Sequence, residues 1–212
     1  MILPALAVIA ALVFVAFETS LGPAAPFVKM VPVAVLALMV HRSRGGAGKS
    51  LAVTGLLVSA LADFAIEYRF LLGLVIFLVA HLFYIGAFTR VDPRWRWTRL
   101  APVAVWAVLA LPALARGAGD LRVPVVLYGL VIFVMIWRAA AAAGPKPRWN
   151  AGGMGLMGAL LFGISDTLLG YNRFVAPFPG SEVLVIGTYW AGQSLIALSF
   201  MRPELNASAG KE

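Results

Sequence analysis

The chain contains no cysteine, which excludes disulfides, thiolate metal sites and cysteine nucleophiles. Its two histidines are too few for a histidine-rich metal centre. Charge is scarce as well, with 12% charged residues against 62% hydrophobic ones. At a mean hydropathy of +0.93, such a chain has too little polar surface to face water, and lipid must solvate most of it. The strict apolar and polar alternation of an outer-membrane barrel strand is missing. No Lys or Arg precedes the first apolar run, 1–17, and no small-residue cleavage pattern follows it. It is therefore read as a retained helix and not as a signal peptide.

What the sequence does have is a series of long apolar runs. In lipid every backbone amide must be bonded within its own segment, so these runs are helices and their polar interruptions are turns. Helices are predicted at 2–17, 27–41, 51–67, 70–89, 100–115, 122–143, 151–171 and 182–201. At about 20 apolar residues per crossing the chain has room for eight spans and no second domain. The expected architecture is a single all-α polytopic transmembrane domain over 1–212. Pro32, Pro102, Pro112 and Pro124 fall near the predicted helix ends, where the missing N–H costs little.

Basic residues set the orientation. Arg42, Arg44, Lys49, Arg90, Arg94, Arg96, Arg99, Arg138, Lys146, Arg148, Arg202 and Lys211 fall on one side of the predicted bundle, against Arg69, Arg116, Arg122 and Arg173 on the other. Twelve against four makes the first side cytosolic, with both termini there. The expected location is a bacterial inner membrane. The net charge of +8 is then read as cytosolic loops attracted to anionic lipid, with no nucleic-acid partner. Trp95, Trp97 and Trp149 in those loops read as interfacial anchors.

A charge at the helix centre costs about 2.5 to 3.5 kcal/mol on insertion scales, so polar residues inside the spans are the informative ones. They are Glu18, Lys29, Asp63, Glu67, His81, Asp166, Tyr189 and Gln193. Ser59, Asp63 and Glu67 recur at i, i+4, i+8, His81 and Tyr84 at i, i+3, and Tyr189 and Gln193 at i, i+4, giving each helix one polar stripe. Facing lipid would be the costliest arrangement, so the stripes are expected to converge on one cavity in the non-cytosolic half. The helices at 100–115 and 122–143 have no such residue and read as packing elements. Structural roles remain open beside functional ones: an Asp paired with Lys29, a hydrogen-bonded core His81, and solvated or snorkelling charge at Glu18, Glu67, Arg69 and Arg173.

An internal echo points the same way. Gly55 precedes Asp63 by eight residues as Gly158 precedes Asp166, with Tyr68 and Tyr171 five residues further and then Arg69-Phe70 and Arg173-Phe174. The offset of four helices implies a parallel 4+4 repeat about an axis near the membrane normal, which would bring Asp63 and Asp166 face to face.

With these residues in view the chain resembles the YhhN-like membrane proteins, the lysoplasmalogenase family, over nearly its whole length. The resembling pieces are Lys29 with Pro32, Ser59 through Asp63, Gly73 through Ala80-His81-Leu-Phe-Tyr84, Gly158 through Ser165-Asp166 with Asn172-Arg173-Phe174, and Thr188 through Gln193. Ala62 departs from the glycine more usual before the first Asp. The resemblance implies hydrolysis of the vinyl ether bond of a lysophospholipid substrate, a lysoplasmalogen, to a fatty aldehyde and a glycerophospho-ethanolamine or -choline, with no metal or organic cofactor. Such cleavage needs a proton on the β-carbon, support for an oxocarbenium-like ion and a water at the α-carbon, which two carboxyls can supply. Asp63 and Asp166 are the implied catalytic pair, in either order, with one kept protonated because close buried carboxyls do not both ionise cheaply. Lys29 or Arg173 would hold the phosphate, while His81, Tyr189 and Gln193 orient water or the glycerol hydroxyl. Ser59, Tyr84, Ser165 and Asn172 would support them.

The rival class is a proton-coupled transporter or lipid-handling permease, since buried Asp, His and Lys also describe proton relays. Transport favours a polar path to the cytosolic side, yet Leu51 to Val58 has only Thr54 and Gly152 to Gly163 has no charge. A retinal-binding photoreceptor would need a Lys in the last helix, and Val183 to Met201 has none. The sequence sets no oligomeric state.

Overall fold

The computed structural model describes residues 9, 11, 14, 21–144 and 149–201. Seven long helices follow one another: α1 (Ala25–Arg42), α2 (Lys49–Tyr68), α3 (Phe70–Val91), α4 (Leu100–Gly117), α5 (Arg122–Ala142), α6 (Ala151–Phe174) and α7 (Ser181–Met201). Each lies within three residues of its predicted span, and each is long and apolar enough to cross a membrane. This is an integral membrane protein. The predicted helix at 2–17, with Glu18, falls almost wholly outside the described residues, as do Lys146, Arg148, Arg202 and Lys211.

Two prolines depart from expectation. Pro32 and Pro112 lie inside α1 and α4 and not near their ends. The helix at α1 begins at Ala25, behind a 3-10 turn at Gly22–Ala24, which puts Pro32 two turns in. Pro102 and Pro124 do sit in first turns, where no backbone donor is lost. Interior prolines persist in spanning helices because neighbouring groups and local adjustments re-satisfy the freed carbonyls.

The helices pack in the same pattern in both halves of the chain. α2 lies on α3 as α6 lies on α7, α1 on α2 as α5 on α6, and α3 against α5 as α7 against α1. The echoed glycines both occupy close approaches. A Cβ at Gly55 would fall 2.6 Å from the Tyr84 ring of α3, and one at Gly158 would fall 2.7 Å from the Gly192 carbonyl of α7. Small residues let helices approach closely where lipid supplies no hydrophobic drive for association. The outer surface is apolar, as on α3, where Leu72, Val75, Val79 and Leu82 are exposed on one face while Phe77, His81, Tyr84 and Phe88 are buried on the other.

One end of the bundle is clasped by Arg138. It was counted above with the lipid-attracting basic residues, but it is only 3% exposed. Its guanidinium donates to the backbone carbonyls of Asp92 and Arg94 and to Thr89 Oγ1, and it lies 5.7 Å from the Trp95 ring and 5.9 Å from that of Trp137. Trp95 and Trp97 stack on each other and against Trp137, so these rings close a structural cluster as well as facing the interface. The Asp92 carboxylate accepts from Arg94 Nε, Arg94 Nη2 and Arg96 Nε at 2.9, 3.1 and 2.9 Å. Burial disfavours its charge, but the hydrogen bonds from Arg94 and Arg96 outweigh burial and hold its pKa down at about 2. Because the folded state lowers this pKa, the stability it contributes is present above the ordinary carboxylate range and is lost as pH falls from about 4 towards 2. Asp92→Asn should therefore lower the thermal midpoint in detergent at pH 7 by several degrees, corresponding to roughly 2 kcal/mol, and should flatten the acid limb of the stability profile. An unchanged midpoint and acid limb would show that the clasp does not depend on this carboxylate.

Candidate functional site

The polar stripes meet from the middle of the bundle towards the end away from the clasp. On α2, Ser59 and Asp63 are buried at 0% and 2% exposure, one turn apart on the face packed against α3 and α7. Between them runs a chain of hydrogen bonds. Ser59 Oγ lies 3.3 Å from Tyr84 Oη, Tyr84 Oη donates to Gln193 Oε1 at 2.7 Å, Gln193 Nε2 donates to Tyr189 Oη at 3.3 Å, and Tyr189 Oη donates to Asp63 Oδ2 at 2.7 Å. With the Tyr84 proton committed to Gln193, Ser59 is the donor to Tyr84. Every donor then points along one path that ends on the Asp63 carboxyl, an arrangement in which each bond polarises the next.

Asp166 is held from the other side. Its Oδ2 accepts from Tyr128 Oη of α5 at 2.5 Å. The helix at α5 was expected only to pack, and this is corrected: it supplies the partner of one of the two central carboxyls. Tyr128 is the lone hydroxyl between Arg122 and Arg138, a signal overlooked because tyrosine is also an ordinary packing residue.

His81 stands between Tyr84, of the chain that ends on Asp63, and Tyr128, the partner of Asp166. Its ring packs edge-on to Tyr84, Tyr128 and Phe162, with centroids 6.4, 5.4 and 4.6 Å away. Nδ1 lies 2.6 Å from the Phe77 carbonyl oxygen. A carbonyl only accepts, so Nδ1 carries the proton and Nε2 carries a lone pair. That Nε2 is buried without a partner, and an unsatisfied buried acceptor is costly unless something fills it.

The other predicted residues are more dispersed. Lys29 pairs with Glu67, which was expected as a solvated rim charge, and its Nζ lies 5.8 Å from the Phe14 ring. Neither aspartate is its ion-pair partner. Ser165 donates to the Val185 carbonyl at 2.8 Å and ties α6 to α7. Asn172 Oδ1 accepts from Phe178 N at 3.1 Å and braces the turn after α6. Arg173 is exposed with its guanidinium 4.0 Å over the Phe70 ring. The expectation of one shared cavity is also modified, because among the described residues two separate cavities flank the site. An apolar groove between α3, α4, α5 and α6 has Asp166 and Tyr128 in its wall beside Leu74, Leu111 and Phe133. A cavity of about 130 Å3 on the far side of α6 is lined by Lys29, Asn172, Ser181 and Glu182. Leu169, one turn beyond Asp166, belongs to both, while the hydrogen-bonded chain ending on Asp63 is packed in the interior. Among the described residues no group of three or more His, Asp or Glu side chains is arranged to hold a metal ion.

Residues 24–200 match the model of the YhhN family. Among curated proteins, the chain is 31% identical to human "Lysoplasmalogenase TMEM86B", covering 87% of this chain and 79% of that protein. It is 35% identical to the Sus scrofa protein of the same name over 81% of this chain and 73% of that one. A Mycobacterium bovis "Lysoplasmalogenase" is 30% identical over 70% of this chain and 59% of its own length. No solved structure matches. The family match begins just before Lys29 and ends beyond Gln193, so that it spans both carboxyl groups and every partner that holds them, and the chain belongs to the YhhN family.

Proposed function

We propose that this protein hydrolyses lysoplasmalogens, cleaving the vinyl ether to a fatty aldehyde and a glycerophospho-alcohol. The observation that carries this reading is the carboxyl pair, Asp63 buried and Asp166 half-buried, each held by a tyrosine hydroxyl from a neighbouring helix. Relatives at 31% and 35% identity bear the name lysoplasmalogenase, which supports the substrate class.

The alkenyl chain lies in the apolar groove, and Asp166, in the groove wall, gives its proton to the β-carbon as the π pair forms the new C–H bond. Positive charge develops on the α-carbon and ether oxygen, where two carboxyl groups stabilise it. Water adds to the α-carbon, Asp63 takes its proton, and His81 Nε2 accepts the water's other hydrogen bond and so fixes its direction. The hemiacetal then collapses. The C–O bond to glycerol breaks with its electron pair on the glycerol oxygen, which receives the proton from Asp63, while the hemiacetal hydroxyl proton restores Asp166. One water is consumed and both carboxyls are reset.

A transporter would need a polar route to the clasped end. There the helices interlock instead: a Cβ at Gly55 would strike Tyr84, and one at Gly155 would lie 2.9 Å from the Phe88 ring. Both flanking cavities sit towards the opposite end, an arrangement that favours entry of a lipid from one side. The basic bias makes that the non-cytosolic side, and reporter fusions at Gly46 and Gly180 should appear on opposite faces of the membrane. Both reporters on one face would defeat this orientation.

Asp63→Asn and Asp166→Asn should each lower kcat for aldehyde release by about 10² to 10⁴ while the thermal midpoint is kept, since Asn matches Asp in size and costs less to bury. More than a tenth of wild-type kcat in either variant would return that aspartate to a structural role. Tyr128→Phe should lower kcat by about tenfold, the worth of one hydrogen bond to the reacting carboxyl. Lys29→Met should chiefly raise KM, because a phosphate contact is similar in ground and transition states. A Tyr128→Phe variant with wild-type kcat would remove α5 from the site.

A further inference from the structure

The cavity beyond Leu169 has a chemistry that the reaction at the two aspartates leaves unused. We propose that it is the seat of the lipid head group, that Lys29 and Asn172 hold the phosphate, that Glu182 holds a primary ammonium, and that the seat therefore prefers ethanolamine to choline. This deepens the lysoplasmalogen reading and rests on it.

The position fits a single lysolipid spanning both cavities. Asp166 and Asn172 are six residues apart on α6, about 9 Å along the axis at 1.5 Å per residue, within the reach of an extended glycerophosphate. Leu169 lies between them and lines the groove on one side and the cavity on the other. A chain in the groove, with its vinyl ether at Asp166, directs its phosphate past Leu169 into this cavity.

The donors and acceptors sort by charge. An ammonium has three N–H donors and no acceptor, so Lys29 gives one to Glu67 and has two for a phosphate. The Asn172 carbonyl is already engaged by Phe178 N, which leaves its amide NH2 as the free side. An ionised carboxylate only accepts. Glu182, in the first turn of α7, has no ion-pair partner among the described residues and is exposed at the cavity. It supplies what a cationic head group lacks. A trimethylammonium has no N–H to give and is recognised by open aromatic faces. The one ring among the cavity's described lining residues is Phe14, and Lys29 Nζ already lies 5.8 Å from its centroid. A primary ammonium can instead donate directly to Glu182.

An acidic residue in a first turn also suits the helix dipole. That role affects stability alike with either head group and does not touch selectivity, so the two are separable. The test uses the full-length protein in detergent, as wild type, Glu182→Gln and Glu182→Asp. It measures kcat/KM on 1-alkenyl lysophosphatidylethanolamine and 1-alkenyl lysophosphatidylcholine, and calorimetric binding of glycerophosphoethanolamine and glycerophosphocholine, which contain no vinyl ether. Wild type should favour ethanolamine by about tenfold or more in both measurements, the worth of a charge-assisted hydrogen bond. Glu182→Gln should bring the ratio to within about twofold by weakening the ethanolamine ligand more than the choline one, since only the ethanolamine loses an N–H partner, and Glu182→Asp should keep most of the preference. Equal treatment of the two head groups by wild type, or a ratio unmoved by Glu182→Gln, overturns the seat even if aldehyde is released. Glu182-dependent binding of glycerophosphoethanolamine without any aldehyde release would uphold the seat and defeat the hydrolysis reading instead.

Discussion

A carboxyl group inside a lipid-solvated bundle has no water to fall back on, and the rest of this structure depends on how two such groups are kept. Each is held by one tyrosine hydroxyl from a neighbouring helix, Tyr189 for Asp63 and Tyr128 for Asp166. The cost of leaving a buried polar group unpaired exceeds the net gain from most single hydrogen bonds. The helices are accordingly committed to one relative placement. α7 cannot slide against α2 without stripping Asp63, and α5 cannot move from α6 without stripping Asp166.

Close helix approach makes that placement possible. Gly55 admits the Tyr84 ring, and Gly158 and Gly192 let α6 and α7 meet nearly backbone to backbone. A Tyr84 displaced by one methyl group at Gly55 could not reach both Ser59 and Gln193. Packing and polarity are therefore one device, with small residues setting the spacing and hydroxyls and amides using it. His81 is the exception, fixed on one nitrogen by Phe77 and left open on the other.

The two ends of the bundle differ for the same reason. At one, Arg138 satisfies the carbonyls at the end of α3 and lies against the tryptophan cluster, so that the end is closed. At the other, charges line a cavity and α6 has space on both sides.

The sequence by itself determined the seven spans of the described residues and their bounds to within three residues, and it singled out Asp63 and Asp166, because lipid permits only helices of a certain length and makes each charge within a span conspicuous. It also marked Ser59, Tyr84, Tyr189 and Gln193, since residues on one helical face must share a neighbour. Only the tertiary structure decided which neighbour. Nothing in the order of residues says that Tyr128 reaches Asp166, that Lys29 takes Glu67, or that Arg138 is buried, because tyrosine, lysine and arginine each serve many surroundings. Periodicity fixes the face a side chain occupies along its own helix, whereas its partner is set by the rotation and offset of another helix, and those follow from glycine contacts between segments far apart in the chain.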